Sequence, residues 1–254
     1  ILVSDEELET AVHTAEEAIN TEADGFIVQD LGLAKILHEQ FPNIRLHAST
    51  QCSVNSPEGF KALEEAGFVR AVIPREMSLE EIKEIRKATD MELELFVHGA
   101  LCMSVSGQCY MSAMLGGRSG NRGLCAQPCR LPFSADESKS CDLSLKDLSL
   151  LSHLKKIEDA GVCSLKIEGR MKRPEYVASA VTSCKKALLG EYSPNDETVL
   201  KSVFSRSGFT DGYFTGKRQD MFGYRQKEDV IAAKDVLKEL SHLYDNETPL
   251  VPIK

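Results

Sequence analysis

The chain reads as an α/β protein of the TIM-type (β/α)8 barrel class, lacking its first two βα units and interrupted by a long cysteine-rich loop. Three observations predict this. Short apolar runs alternate with amphipathic stretches of helical period. The alternation stops over residues 98–143, which are rich in Gly, Ser and Cys, and then resumes. No G-x-G-x-x-G follows any apolar run, so the signature of an open dinucleotide-binding sheet is missing.

The elements follow in order. Residues 1–3 read as a strand end. Ser4 caps a helix over 5–20, with Glu7 at the capping-box position. The buried run GFIVQ predicts a strand over 25–29, followed by a helix over 33–40. A strand over 45–48, a helix over 57–66 and a strand over 69–73 come next. Ser78 and Glu81 form a second capping box on a helix ending near residue 87, and 92–97 is a strand. Beyond the loop, the pattern predicts a helix over 146–160, a strand over 163–167 and a helix over 174–189 with proline at its start. Strands alternating with helices at this spacing imply a parallel sheet. Six strands are counted where a (β/α)8 barrel needs eight. The barrel portion spans 1–193. Residues 194–254 read as a C-terminal extension, the start of a small appended domain, with loops and short elements over 203–230.

The formal charge of −9 argues against a bulk electrostatic grip on nucleic acid, though not against a local basic groove. Arg118, Arg122, Arg130, Lys166, Arg170, Lys172 and Arg173 supply cations in or near the loop and the last strand. No apolar run reaches the roughly 18 residues needed to span a bilayer. The opening Ile1-Leu2-Val3 is too short for a signal peptide, so a cytoplasmic location without membrane attachment is expected.

Barrels place their chemistry at the C-terminal ends of strands and in the loops that follow. His47, Arg75, His98, Glu168 and Arg170 lie at or just past predicted strand ends and are the candidate catalytic residues. Each has a structural alternative: His47 as a core histidine, Arg75 with Glu76 as a surface pair, Glu168 and Arg170 as part of a network tying the rim together.

Eight cysteines in a chain without a secretion signal suggest metal binding or catalysis before disulfides. Cys102, Cys109, Cys125 and Cys129 are spaced C-x6-C-x15-C-x3-C. Structural zinc prefers two short C-x2–4-C knuckles, and only the second pair fits one, so an iron–sulfur cluster is favoured over zinc. Cys141 is the alternative fourth ligand. Glycines 99, 107, 116, 117, 120 and 123 would let backbone wrap an inorganic core. Cys52, Cys163 and Cys184 read as structural.

The stretches from Glu94 to Cys102 (ELFVHGALC), Ser106 to Ser112 (SGQCYMS) and Gly116 to Arg130 (GGRSGNRGLCAQPCR) resemble the peptidase U32, or collagenase-like protease, family. Ser164 to Lys172 (SLKIEGRMK) and Pro174 to Val177 are similar to its second characteristic block. The resemblance covers Val3 to about Tyr224. It implies a [4Fe–4S] cluster on Cys102, Cys109 and Cys125, with a fourth ligand that varies between members. It also implies one of two activities. The first is hydroxylation of RNA, at a tRNA wobble uridine or an rRNA cytidine, with RNA as partner and a small-molecule hydroxyl donor. The second is the collagenase-like proteolysis of the family label, but neither G-x-S-x-G nor H-E-x-x-H occurs. A third reading is a non-catalytic assembly subunit. An incomplete barrel exposes sheet edges, which favours pairing with another copy.

Overall fold

The computed structural model describes residues 1–106, 108–135, 140–170 and 172–241. Gly107 of the glycine set, part of the predicted loop at 136–139, Met171 of the SLKIEGRMK block and the tail 242–254 lie outside the described residues.

The first half follows local signals closely. Helix α1 (Asp5–Asn20) begins at Ser4, whose side chain and that of Glu7 complete the reciprocal capping box. Such a cap stabilises a helix by about 1 kcal/mol. Strand β1 (Gly25–Val28) leads into α2 (Leu31–Gln40), which starts two residues earlier than the periodicity predicts. The cause is Asp30, whose carboxylate accepts a hydrogen bond from Leu33 N–H at 2.9 Å. Strand β2 (Arg45–Ala48), α3 (Pro57–Glu65), β3 (Phe68–Ile73), α4 (Leu79–Ala88) and β4 (Glu92–Gly99) complete the alternation.

β1, β2, β3 and β4 are parallel neighbours, and β6 (Ser164–Ile167) runs parallel to β4. All five strands predicted to be parallel are so. Along β4, Leu93, Leu95 and Val97 alternate with Glu94, Phe96 and His98. The strand therefore gives apolar side chains to one face and polar or aromatic ones to the other. The apolar set joins Phe60, Ile82 and Ile85 of α3 and α4 in the core. The other face carries a ladder of ion pairs: Arg45–Glu92 at 2.7 Å, Arg70–Glu94 at 3.4 Å and Lys166–Glu94 at 2.6 Å.

Two expectations are corrected. Residues 1–3 form no strand. The helix predicted over 146–160 is instead β5 (Asp147–Ser149), a single 3-10 turn, and α6 (Leu154–Asp159). Its apolar spacing suits a helix, but β5 pairs antiparallel with the end of β4, His98 opposite Ser149, and parallel with β7 (Phe209–Thr210). Pairing with distant strands outweighs local periodicity here.

Helix α7 (Pro174–Leu188) closes on β6. In the segment set apart as an extension, α8 (Pro194–Val203) carries its own capping box, with Asp196 in place of the usual Glu, and Asp196 also takes Lys186 of α7 at 2.6 Å. That substitution of Asp for Glu hid the helix start. Leu200, Phe214 and Met221 belong to the same buried cluster as β4. The short helix α9 (Gly212–Thr215) and helix α10 (Lys227–Ser241) follow α8. No helix among the described residues is long and apolar enough to cross a membrane.

Candidate functional site

The C-terminal ends of β3 and β6 bring Arg75 and Glu168 together beside Phe96 of β4. Arg75 lies over the Phe96 ring, 3.5 Å from its centroid, and donates to Glu168 Oε2 at 3.1 Å. Burial pushes the Arg75 guanidinium below its ordinary value, opposed by Glu168, Cys102 and Glu76. The Arg170 backbone N–H donates to Glu168 Oε1 at 2.9 Å, so this carboxylate is held at both oxygens. The Arg170 guanidinium reaches the cysteine loop, 3.6 Å from where a Cβ on Gly123 would stand.

The other two predicted residues point elsewhere. His47 pairs across the sheet with Arg70, and burial lowers its imidazole pKa, followed by Arg70; Glu94, Arg45 and Glu92 also act on it. It belongs to the ion-pair ladder rather than to the Arg75–Glu168 group. His98 is 1% exposed, with its ring stacked on Tyr176 at 5.7 Å and edge-on to Phe209 at 5.0 Å. Neither of its ring nitrogens has a hydrogen-bond partner among the described residues.

Burial, and then the charge of Lys172, hold His98 at a pKa of about 4. The folded value lies below the ordinary 6.5, so the folded state binds the proton less readily than the unfolded chain. Stability is full above pH 6.5 and falls as the pH drops toward 4. The loss from this group is about 2 kcal/mol between pH 6.5 and 5. Urea unfolding at those two pH values checks this. His98→Phe keeps an aromatic ring on Tyr176 and Phe209 and is expected to show the smaller acid loss. Equal losses in both proteins would contradict the assignment.

The cysteine loop is gathered by specific contacts. Cys102 lies just past Gly99, the end of β4, after Ala100 and Leu101. Cys109 precedes the short helix α5 (Met111–Gly116), which stops at Gly117 in the left-handed conformation. The Ser112 hydroxyl accepts from Ala126 N–H at 3.0 Å, and Cys125 Sγ accepts from Gln127 N–H at 3.3 Å. A Cβ on Gly120 would stand 3.6 Å from Cys125 Cβ and 3.7 Å from the Cys109 carbonyl, so this glycine lets the two segments approach. Arg130 donates to the carbonyls of Leu101 and Leu145, the latter at 2.6 Å, which ties the turn bearing Cys129 to the residue before Cys102.

All four thiols are free and share one electrostatic neighbourhood. Desolvation raises the Cys102 and Cys129 thiols, and the cysteines at 109 and 125 push each of them further up. Cys141 is not among the groups acting on either. Four soft sulfur donors on a glycine-rich loop suit an iron–sulfur cluster chemically. They are gathered but not converged: among the described residues no three His, Cys, Asp or Glu side chains stand close enough to hold a metal ion. Of the cysteines read as structural, Cys184 is buried in α7, Cys52 is half-buried against the Val28 and Gln29 carbonyls, and Cys163 is exposed.

Sequence reasoning missed a second polar group beside His98. Asp147 and Arg206 form a buried ion pair, and Lys172 lies against Tyr176 and Phe204. Lys172 stands in a quoted motif, but Asp147 and Arg206 are 59 residues apart, with no local signal to join them. A cleft of about 370 Å³ also opens beside the loop, between Gln29, Gln108, Cys109, Tyr110 and Asn121.

Comparison with known proteins places these features in context. The sequence profile of Peptidase family U32 matches residues 1–222. The chain is 39% identical over 228 residues to the 23S rRNA 5-hydroxycytidine C2501 synthase of Escherichia coli (strain K12), covering 87% of this chain and 34% of that protein. It is 30% identical over 254 residues to tRNA hydroxylation protein P1 of Bacillus subtilis (strain 168), covering 91% and 59%. It is also 30% identical over 253 residues to a collagenase of Porphyromonas gingivalis (strain ATCC BAA-308 / W83), covering 88% and 60%. The chain thus spans from about a third to three fifths of the length of these relatives.

Proposed function

This chain belongs to peptidase family U32, and from that premise we propose that it serves the hydroxylation of a pyrimidine in RNA, an rRNA cytidine or a tRNA wobble uridine, with an iron–sulfur cluster on its cysteine loop. The observation that carries the reading is the folding of the loop on itself, which brings Cys109 and Cys125 together at Gly120 and ties the turn of Cys129 to the residue before Cys102. Cys129 is favoured over Cys141 as fourth ligand because Arg130 ties it to Leu101. A bound [4Fe–4S] cluster would supply electron transfer or substrate activation.

The chain's own residues supply binding. Arg75 and Glu168 stay ionised as a pair and orient a polar group. Tyr110, 67% exposed at the mouth of the cleft, offers a ring on which an unstacked base can lie. No acidic residue occurs between Glu94 and Asp136; Arg122 is paired with Glu7 and Arg130 with backbone carbonyls, which leaves the exposed Arg118 of the loop and Arg170 beside it as the cations a phosphate backbone would meet. A small-molecule hydroxyl donor completes the reaction. The sheet is read as most of a (β/α)8 barrel. Ile27 on β1 is 51% exposed, and two further βα units would continue the sheet from that edge. A second copy of the chain is the alternative cover.

The peptidase reading has a relative named collagenase in its favour. It needs an activated nucleophile, and no described hydroxyl or thiol bonds to His98 or to His47 Nε2. The RNA reading is tested by anaerobic purification with iron and sulfide counts, together with nucleoside mass spectrometry of rRNA and tRNA from cells lacking the gene. Four irons and four sulfides per chain are expected from a cubane (about 4 each). One hydroxylated pyrimidine should vanish and return on complementation. Unchanged nucleosides in both RNA classes would overturn the reading.

A further inference from the structure

The ring of Phe204 is surrounded by three cations. Lys172 Nζ stands 2.9 Å from its centroid, the Arg225 guanidinium 4.6 Å and the Arg206 guanidinium 5.1 Å. Arg206 is neutralised by Asp147. Among the described residues, neither the Lys172 ammonium nor the Arg225 guanidinium forms an ion pair or hydrogen bond. Glu168, the other carboxylate acting on Lys172, is engaged by Arg75. An aromatic face compensates a cation by only about 0.5–2 kcal/mol, so the ring does not replace a counter-ion.

The surroundings are polar and also incomplete. Asp147 is buried, and its Oδ2 has no partner. His98 is buried with both nitrogens unpartnered, and the charge of Lys172 reaches it. Helix α7 begins two residues after Lys172, so its positive end faces the same region. Desolvation depresses Lys172 to a pKa of about 8; Asp147 and Glu168 oppose this, and Arg206 and Arg225 add to it. Three cations are held together here against one buried carboxylate, Asp147, which is paired with Arg206, and a neutral His98 offers a ring N–H without a partner. Such an arrangement is relieved when an anion enters it.

We propose that Lys172 and Arg225, backed by Arg206 on the Phe204 ring, form a binding site for a single phosphate or carboxylate group, separate from the cysteine loop. The site stands independently of the RNA reading. Its anion is either a phosphodiester of a nucleic acid or the acid group of a small molecule, and both present the same chemistry to these cations.

The test is thermal unfolding of the full-length protein at pH 7 with inorganic phosphate or malonate, the ionic strength held constant with sodium chloride. At a hundredfold excess over Kd, each effective anion is expected to raise the wild-type Tm by about 5 °C. Lys172→Met keeps the aliphatic stem over Phe204 and removes a poorly solvated charge, so it should fold. It is expected to bind the anion at least tenfold more weakly (about one factor of ten per lost charge contact). Lys172→Arg should retain the response. A single-stranded oligoribonucleotide, followed by fluorescence anisotropy, separates the sources. Weaker RNA binding by Lys172→Met, with a salt slope smaller by about one, identifies a phosphodiester. Unchanged RNA binding with a lost malonate response identifies a small-molecule acid. If wild type and Lys172→Met respond alike to both anions and bind RNA alike, or if wild type responds to none of the three probes, the site does not exist.

Discussion

Cys102→Ser is expected to leave the protein folded, without its iron, and unable to support RNA hydroxylation. Cys102 lies beyond the end of β4 and is exposed, so its removal costs little packing. Its position is set by the strand before it and by the Arg130 contact to the Leu101 carbonyl, both of which the variant keeps. Serine is a hard, weakly acidic donor in place of a soft thiolate, and a cubane with three sulfur ligands is poorly held. Iron per chain after anaerobic purification should fall from about four to near zero. The hydroxylated nucleoside should become undetectable, with Tm changed by no more than about 3 °C. Cys141→Ser is the control and is expected to retain the iron, whereas Cys129→Ser is expected to lose it. Loss of iron in Cys141→Ser alone would reverse the choice of fourth ligand. Full iron in Cys102→Ser would remove the cluster from this loop altogether.

Gly99→Ala is the substitution expected to damage the fold most. Gly99 closes β4 at a φ of +121°, a conformation that side chains disfavour. A Cβ there would stand 2.7 Å from Glu168 Cβ and 2.8 Å from the Glu168 carbonyl oxygen. Backbone cannot yield as a flexible side chain can, so β4 and the residue after β6 must separate. Backbone strain contributes about 1–3 kcal/mol and overpacking about 1–3 kcal/mol, together about 2–6 kcal/mol by chemical denaturation. The effect extends to the site. The Glu168 backbone N–H donates to the His98 carbonyl at 2.9 Å, and its carboxylate holds Arg75. Displacing Glu168 therefore loosens both. A Gly99→Ala protein as stable as wild type would show that the close approach is not required.

Much of this protein was legible in its sequence because the deciding interactions are local. The Ser4–Glu7 and Ser78–Glu81 boxes satisfy helix-start donors within three residues, and both helices start where those boxes place them. The run GFIVQ and the alternation over 92–97 mark two of the parallel strands by period alone. The cysteines of the loop stand out because one glycine-rich segment keeps four of them close in sequence. That Arg75 and Arg170 lie beside Glu168 was legible from position, since strand ends are visible wherever strands are.

Other features depended on residues far apart in the chain. Strand β5 exists because β4 and β7 offer it hydrogen bonds, which its own helical periodicity cannot reveal. His47 and His98 both sit at strand ends, yet neighbouring strands and α7 carry one into an ion-pair ladder and the other between Tyr176 and Phe209. The Asp147–Arg206 pair and the three cations on Phe204 join the loop after β6, β5 and the chain beyond α8. Periodicity and capping report hydrogen bonds and burial a few residues apart. Which side chains meet across a sheet is decided by strand register and packing, and these exist only once distant segments have come together.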